Sequence, residues 1–168
     1  MPEQPLVTLY TDGACLGNPG AGGYGLILAR GRQRKEMSGG FRLTTNNRME
    51  LMAAVVGLAA LNTPCKVRLV SDSKYLVDTM QTGLAAQWKA KGWKRGKSGK
   101  VENVDLWERL LDLCAIHAVT FEWVAGHSGH PENERCDYLS YTAARRRDLP
   151  PDLPYENGTT RQSQAALF

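Results

Sequence analysis

The stretch Leu6-Val-Thr-Leu-Tyr-Thr-Asp12-Gly13-Ala-Cys15-Leu-Gly17-Asn18-Pro19-Gly20 decides how the chain is read. Leu6 to Thr11 is a short apolar and β-branched run of the kind that forms a buried strand, and Asp12-Gly13 is expected to break it into a Gly- and Pro-rich loop. A carboxylate is then delivered at the end of a core strand. Asp-Gly between two apolar runs is equally a hairpin signal, with the aspartate serving turn chemistry alone. What shifts the balance is three further acids in comparably awkward places: Glu50, Asp72 and Asp137.

Outward from this strand, Gly23 to Arg30 reads as a second strand, Gly31-Arg32 as a turn and Lys35 to Leu43 as a third strand, which makes an antiparallel meander. From Thr44 the period changes. Met49, Met52, Ala53, Val56 and Ala60 recur at helical spacing with apolar residues behind them, so a largely buried helix follows, capped by one of Thr44, Thr45, Asn46 or Asn47 and stopped at Asn62-Thr63-Pro64. Val67 to Val70 is a compact strand that should run parallel to the first, and a helix through Met80 follows Ser71-Asp72-Ser73. Val104 to Ile116 is an amphipathic helix, His117 to Val124 a last strand, and Glu132 to Arg145 a last helix.

The 168 residues suffice for one domain with a core that needs no disulfide or metal to hold it. A net charge of +4 permits a polyanionic partner without establishing one, and its placement is more informative. Between Gly83 and Lys100 stand Trp88, Lys89, Lys91, Trp93, Lys94, Arg95, Lys97 and Lys100 with no acid among them. The polar start of the chain lacks the features of a secretory signal, no apolar run has membrane-spanning length, and the four unpaired cysteine spacings suit reduced thiols. A soluble cytoplasmic protein is expected. From Asp148 the chain carries Pro150, Pro151 and Pro154 and few apolar residues, so 148–168 is expected to be a flexible or loosely packed tail.

Each acid has a plain structural role open to it. Glu50 could cap its helix, Asp72 could cap the helix after it, and Asp137 could pair with Arg135 or Arg145. Jointly these roles are less convincing, because Asp12 and Asp72 fall where strands of an open α/β sheet end and ligands bind. Carboxylates converging there would repel one another, and hard divalent cations relieve that repulsion.

Thr11-Asp-Gly-Ala-Cys-Leu-Gly-Asn-Pro-Gly20, Thr44-Thr-Asn-Asn-Arg-Met-Glu-Leu51, Ser71-Asp-Ser-Lys-Tyr75 and Gly126-His-Ser-Gly-His-Pro-Glu-Asn-Glu-Arg-Cys-Asp137 closely resemble the bacterial ribonuclease HI family, in order, from about Leu6 to Arg146. The resemblance implies an α/β fold with a five-stranded mixed sheet flanked by helices on both faces, a catalytic domain over 1–147, and endonucleolytic cleavage of the RNA strand of RNA/DNA hybrids by a monomer. It also implies two Mg²⁺ ions, with Mn²⁺ as a substitute, held by Asp12, Glu50, Asp72 and Asp137, with His127 as a mobile-loop histidine. By the same resemblance Cys15, Asn18, Asn46, Asn47 and Lys74 lie near the hybrid's minor groove. Thr45 and Trp88 lie where the family holds DNA-strand phosphates, and 83–100, with Lys89, Lys91, Trp93, Lys94 and Arg95, matches a basic protrusion that grips the hybrid. Leu84 and Ala90 depart from that protrusion's aromatic and cationic pattern.

Three rivals stand beside this reading. A zinc site at His127, His130 and Cys136 lacks a nearby fourth ligand. A hybrid-binding module without catalysis would have lost at least one of the four acids. A DNA nuclease of the same fold would not need asparagines that read ribose.

Overall fold

In a computed structural model, which describes residues 3–97 and 99–158, the elements run in chain order as β1 (Leu6–Leu16), β2 (Gly20–Arg30), β3 (Gln33–Thr44), α1 (Asn46–Ala59), β4 (Lys66–Ser71), α2 (Lys74–Gln81), α3 (Leu84–Ala90), β5 (Lys94–Arg95), β6 (Gly99–Lys100), α4 (Val104–Ile116), β7 (Ala118–Trp123) and α5 (Pro131–Ala144). The main sheet has the order β3-β2-β1-β4-β7, and β5 and β6 form a separate two-stranded ribbon. β1, β2 and β3 pair antiparallel as a meander, while β1–β4 and β4–β7 are parallel, so the sheet is mixed. Helical crossovers supply the parallel connections, as α1 does between β3 and β4.

Helices cover both faces. A Cβ on Gly22 would strike Met49 of α1, whereas one on the next residue, Gly23, would strike Ser140 and Ala144 of α5. Successive strand residues point to opposite faces, so α1 and α5 sandwich the sheet. The α1 side holds the larger core, in which Leu9, Leu26, Leu51, Val55, Leu58 and Leu69 meet Leu106, Trp107 and Leu110 of α4.

Two expectations are corrected. Asp12-Gly13 does not break the first strand. β1 continues through it to Leu16, because β2 pairs with it as far as Leu16↔Ala21, and the turn falls at residues 17–19 instead. The expectation of a loose tail also fails for 148–158. Asp152 is buried and its carboxylate accepts hydrogen bonds from Arg48 Nε (2.7 Å) and Thr44 Oγ1 (2.7 Å), Arg42 N donates to Pro150 O (2.9 Å), and residues 153–158 are helical. The docking is polar rather than apolar, which is why counting apolar residues missed it. Residues 159–168 of the expected tail lie outside the described residues.

Arg48 is the hub of that docking. Besides Asp152 it reaches both carboxylate oxygens of Asp105 at the start of α4 (2.9 and 2.8 Å). Burial disfavours the charged guanidinium, but the two carboxylates outweigh it and hold Arg48 above its ordinary value. Removing one partner of a buried pair leaves charge uncompensated, so Asp152→Ala should lower the unfolding free energy by on the order of 3 kcal/mol in urea titration. A loss below about 0.5 kcal/mol, the scale of a surface pair, would contradict the docking.

Candidate active site

β1 pairs with β4 only from Leu6↔Lys66 to Thr11↔Ser71. Asp12 and Asp72 are therefore the next residues on two adjacent parallel strands, at the point where β4 ends. Glu50 comes from α1, which can press against β1 there because position 13 is glycine: a Cβ on Gly13 would lie 2.5 Å from Glu50 N and 2.6 Å from the Met49 carbonyl carbon. One ligand atom from each of Asp12, Glu50 and Asp72 falls within 4.8 Å of the others.

Asp72 does not cap the following helix. Ser73 does, its Oγ accepting from Leu76 N at 3.2 Å, and the Asp72 carbonyl is pinned by Trp123 Nε1 at 3.0 Å. Nor does Glu50 sit at a cap position, since Thr45 Oγ1 accepts from Arg48 N at 3.2 Å. Gly13 N donates to Asp12 Oδ1 (2.8 Å) and to Glu50 Oε1. The second oxygens, Asp12 Oδ2 and Glu50 Oε2, are buried without a hydrogen-bond partner, as is the neighbouring Thr11 Oγ1. Such oxygens are costly to bury.

Burial first, and then the Glu50 carboxyl, push Asp12 well above the usual carboxylate range, with Asp72 adding to the shift and the Gly13 amide opposing it. Burial likewise raises Glu50, while the neighbouring Asp12 carboxyl acts the other way. Oxygen donors, two of them without partners and carrying excess negative charge, fit a hard divalent cation. Asp12, Glu50 and Asp72 could therefore hold a metal ion.

Asp137 is not within that tight group, although its helix packs on the face toward which Asp12 points. Because Gly13 points toward α1, Tyr10 and Asp12 point toward α5. The Tyr10 ring lies 5.7 Å from that of His130, the N-cap residue of α5, and burial and then the Asp12 charge raise the Cys136 thiol beside Asp137. Neither surface pairing open to Asp137 forms, since Arg135 holds Glu36 (2.7 Å) and the Arg145 guanidinium lies over Tyr141. His127 is exposed on the loop from 124 to 130, with φ 55°. That loop is tied to the acids through Gly126, where a Cβ would lie 2.8 Å from Asp72 Oδ2. The zinc alternative finds no support, because Cys136 is fully buried, His130 Nδ1 accepts from Asn133 N (3.2 Å), and the described residues place no such trio together.

The remaining sequence-derived residues form two groups. Beside the acids, Asn18 Oδ1 accepts from Asn46 N (3.1 Å), and the Cys15 thiol donates to Thr44 O (3.4 Å). These two bonds bind the β1–β2 turn to the start of α1, where Thr45 and Asn47 also sit. Lys74 lies over the Trp123 ring, 4.8 Å from its centroid. The second group is the basic segment. Trp88 packs edge-on against the buried Trp107 (6.0 Å between centroids), Trp93 N donates to Trp88 O (2.8 Å), and both rings join the core from outside. Lys89, Lys91, Lys94, Arg95, Lys97 and Lys100 are all exposed around them. The tryptophans anchor the segment, and the cations face solvent. The close approaches at Gly13 and Gly126 and the Arg48 hub escaped sequence reading, because a glycine or an arginine does not announce what it will touch.

A mixed α/β sheet that gathers three carboxylates where β4 ends, together with a solvent-facing basic segment, has an acidic cluster that could hold a hard cation. Residues 4–145 match the RNase H family. The chain is 59% identical over 151 residues to a ribonuclease H of Rippkaea orientalis, covering 90% of this chain and 93% of that one, and 60% identical over 152 residues to one of Syntrophus aciditrophicus, covering 90% and 88%. Among solved structures it is similar to LC9-RNase H1, a type 1 RNase H with the type 2 active-site motif, with a TM-score of 0.76, 36% identity, and coverage of 99% of this chain and 85% of that chain. This chain belongs to the RNase H family.

The raised Asp12 value has a stability consequence. Below the ordinary carboxylate range both the folded and unfolded states carry the proton. As pH rises the unfolded chain ionises first, so the metal-free native state loses stability up to its own raised value. Asp12→Asn should therefore raise the unfolding free energy of metal-free protein at pH 7 by on the order of 4 kcal/mol, the scale of a like-charge contact at an effective dielectric constant of about 20, with the gain shrinking toward pH 3. A destabilised variant at neutral pH would contradict the electrostatics.

Proposed function

We propose that this protein is an endoribonuclease that hydrolyses the RNA strand of RNA/DNA hybrids, using Mg²⁺ held by Asp12, Glu50, Asp72 and Asp137, with Mn²⁺ able to substitute. The observation that carries the reading is the pair of buried, unpartnered oxygens of Asp12 and Glu50, within a carboxylate cluster of an RNase H family chain. Asp12, Glu50, Asp72 and Asp137 would hold such ions, whose Lewis acidity would supply activation of a water and stabilisation of a leaving oxygen, so that hydrolysis would leave 5′-phosphate and 3′-hydroxyl ends.

The protein's own groups do the rest. Asp12 and Glu50 are fixed by the Gly13 amide and Asp72 by the Trp123 indole, so the donor set is organised before substrate arrives. Asp137 closes the set from α5. His127, exposed on a loop that touches Asp72 through Gly126, carries a proton to or from the reacting phosphate.

Selection for RNA rests on the 2′-hydroxyl displayed in the wide minor groove of the duplex. With its oxygen engaged by Asn46 N, Asn18 keeps its amide N–H groups to donate, and Cys15, Asn46 and Asn47 flank it. No base edge is read, so little sequence preference follows. Thr45 and Trp88 hold DNA-strand phosphates, Lys74 faces the groove, and Lys89, Lys91, Trp93, Lys94 and Arg95 grip the duplex. The proposed setting is the cytoplasm and the proposed unit a monomer. All four cysteines are free thiols, and among the described residues no helix is long and apolar enough to cross a membrane.

Incubating the protein and Mg²⁺ with labelled RNA/DNA, RNA/RNA and DNA/DNA duplexes tests the reading. Only the RNA of the hybrid should be cut, Asp72→Asn should reduce cutting to background, and His127→Ala should slow it by about 10²-fold, as loss of general acid–base help does. Binding without cutting would leave a hybrid-binding module, and cutting of DNA/DNA would indicate a DNA nuclease.

A further inference from the structure

One groove among the described residues is lined by none of Asp12, Glu50 and Asp72. It runs beside them at the start of α1, with a volume of about 950 Å³. One bank carries Asn18, Thr45, Asn47 and Lys100 together with the acids Glu102 and Asp105, and the other carries Pro154 and Tyr155 from the C-terminal segment, with Arg48 between. We propose that residues 149–158 are a functional part of the substrate surface: they wall this groove, and the sugar-phosphate backbone of the bound duplex passes along it. The proposal rests on the reading of the protein as a hybrid nuclease and assigns a role to a segment that the reading leaves out.

Three observations support it. The groove is continuous with the Asn18–Asn46 contact beside the acids, so a duplex reaching the carboxylates extends into it. Its first bank offers amide and hydroxyl groups and an exposed lysine, which suit phosphate and sugar oxygens, while the Asp105 carboxylate is held by Arg48 and the exposed Glu102 opposes them. Arg48, by contrast, is fully engaged: Nε and Nη2 bond Asp152, Nη1 and Nη2 bond Asp105, and Nη1 bonds Asn103 Oδ1 (3.3 Å). The guanidinium is therefore a strut and not a phosphate ligand.

The same strut fixes the geometry of both banks. Asp152 is held by Arg48 and by Thr44, the residue immediately before Thr45, while Pro150 O accepts from Arg42 N two residues earlier on β3. The wall and the strand end leading into α1 thus move together. Asp152 is a positioning residue, and Pro154, exposed on the groove side, is the point at which the wall's charge can be changed without touching the strut.

The test compares Pro154→Lys with Pro154→Glu in the full chain, each combined with Asp72→Asn so that hybrid affinity can be read by fluorescence anisotropy without cleavage, across a salt series and with melting temperatures alongside. Pro154→Lys should tighten binding and steepen the salt slope by up to about 0.9, one phosphate contact. Pro154→Glu should weaken binding severalfold, with both variants melting alike. Tyr155→Ala is the uncharged second arm and should raise the hybrid Kd about threefold or more. A Kd indifferent to the sign of the charge at position 154, or unchanged by loss of the Tyr155 ring, overturns the wall. Cleavage by the unmodified protein is measured in parallel: its absence would sink the nuclease reading, whereas cleavage combined with charge-indifferent binding sinks this inference alone.

Discussion

Mutual repulsion among Asp12, Glu50 and Asp72 is the constraint around which the rest of the molecule is arranged. Two unit charges about 4 Å apart at an effective dielectric constant of about 20 repel by about 4 kcal/mol, and burial adds a desolvation cost to each. The metal-free protein meets that cost by raising the proton affinity of the Asp12–Glu50 pair, burial being the largest cause for both. The surrounding fold must be rigid enough to keep the oxygens together nonetheless. Hydrogen bonds from Gly13 and the hydrophobic contact of α1 on β1 do so, with the core from Leu9 to Trp107 beneath them.

Rigidity on the other side of α1 comes from charge rather than from apolar packing. Arg48, two residues before Glu50, is drawn to Asp105 and Asp152, which ties α4 and the C-terminal segment to the helix that carries a metal-site acid. Glu50 and Arg48 occupy the same first turns of one helix with opposite electrostatic roles. The cluster stores repulsion that a cation can relieve, and the strut holds that helix in place.

Much of this was legible in the sequence, because alternation and helical period are local signals. The meander, the buried helix with its Thr45 cap, the crossover to a parallel β4 and the α4 and α5 helices follow the pattern of apolar residues. Asp12 and Asp72 were legible from the apolar strands they follow and Glu50 from its place in a buried helix, and the structure brings those three together, although β1 runs on past Asp12. What local pattern could not supply was partnership across the chain. Asp12-Gly13 carries a turn signal, yet pairing with β2 keeps it in a strand. The proline-rich segment after Asp148 has the composition of a tail, yet one buried aspartate docks it to residues more than a hundred positions away. Asp137 belongs to the helix on the face toward which Asp12 points but lies outside the tight group of three, which the sequence pattern alone did not foretell.

Calorimetric titration of the protein with Mg²⁺, alongside a Glu50→Gln variant, measures most directly whether the gathered carboxylates form a cation site. The account predicts saturable binding to the unmodified chain, a melting temperature that rises with Mg²⁺ as linkage requires, and marked weakening of both effects in Glu50→Gln. Equal Mg²⁺ affinity in the two proteins, or no binding to either, would contradict it.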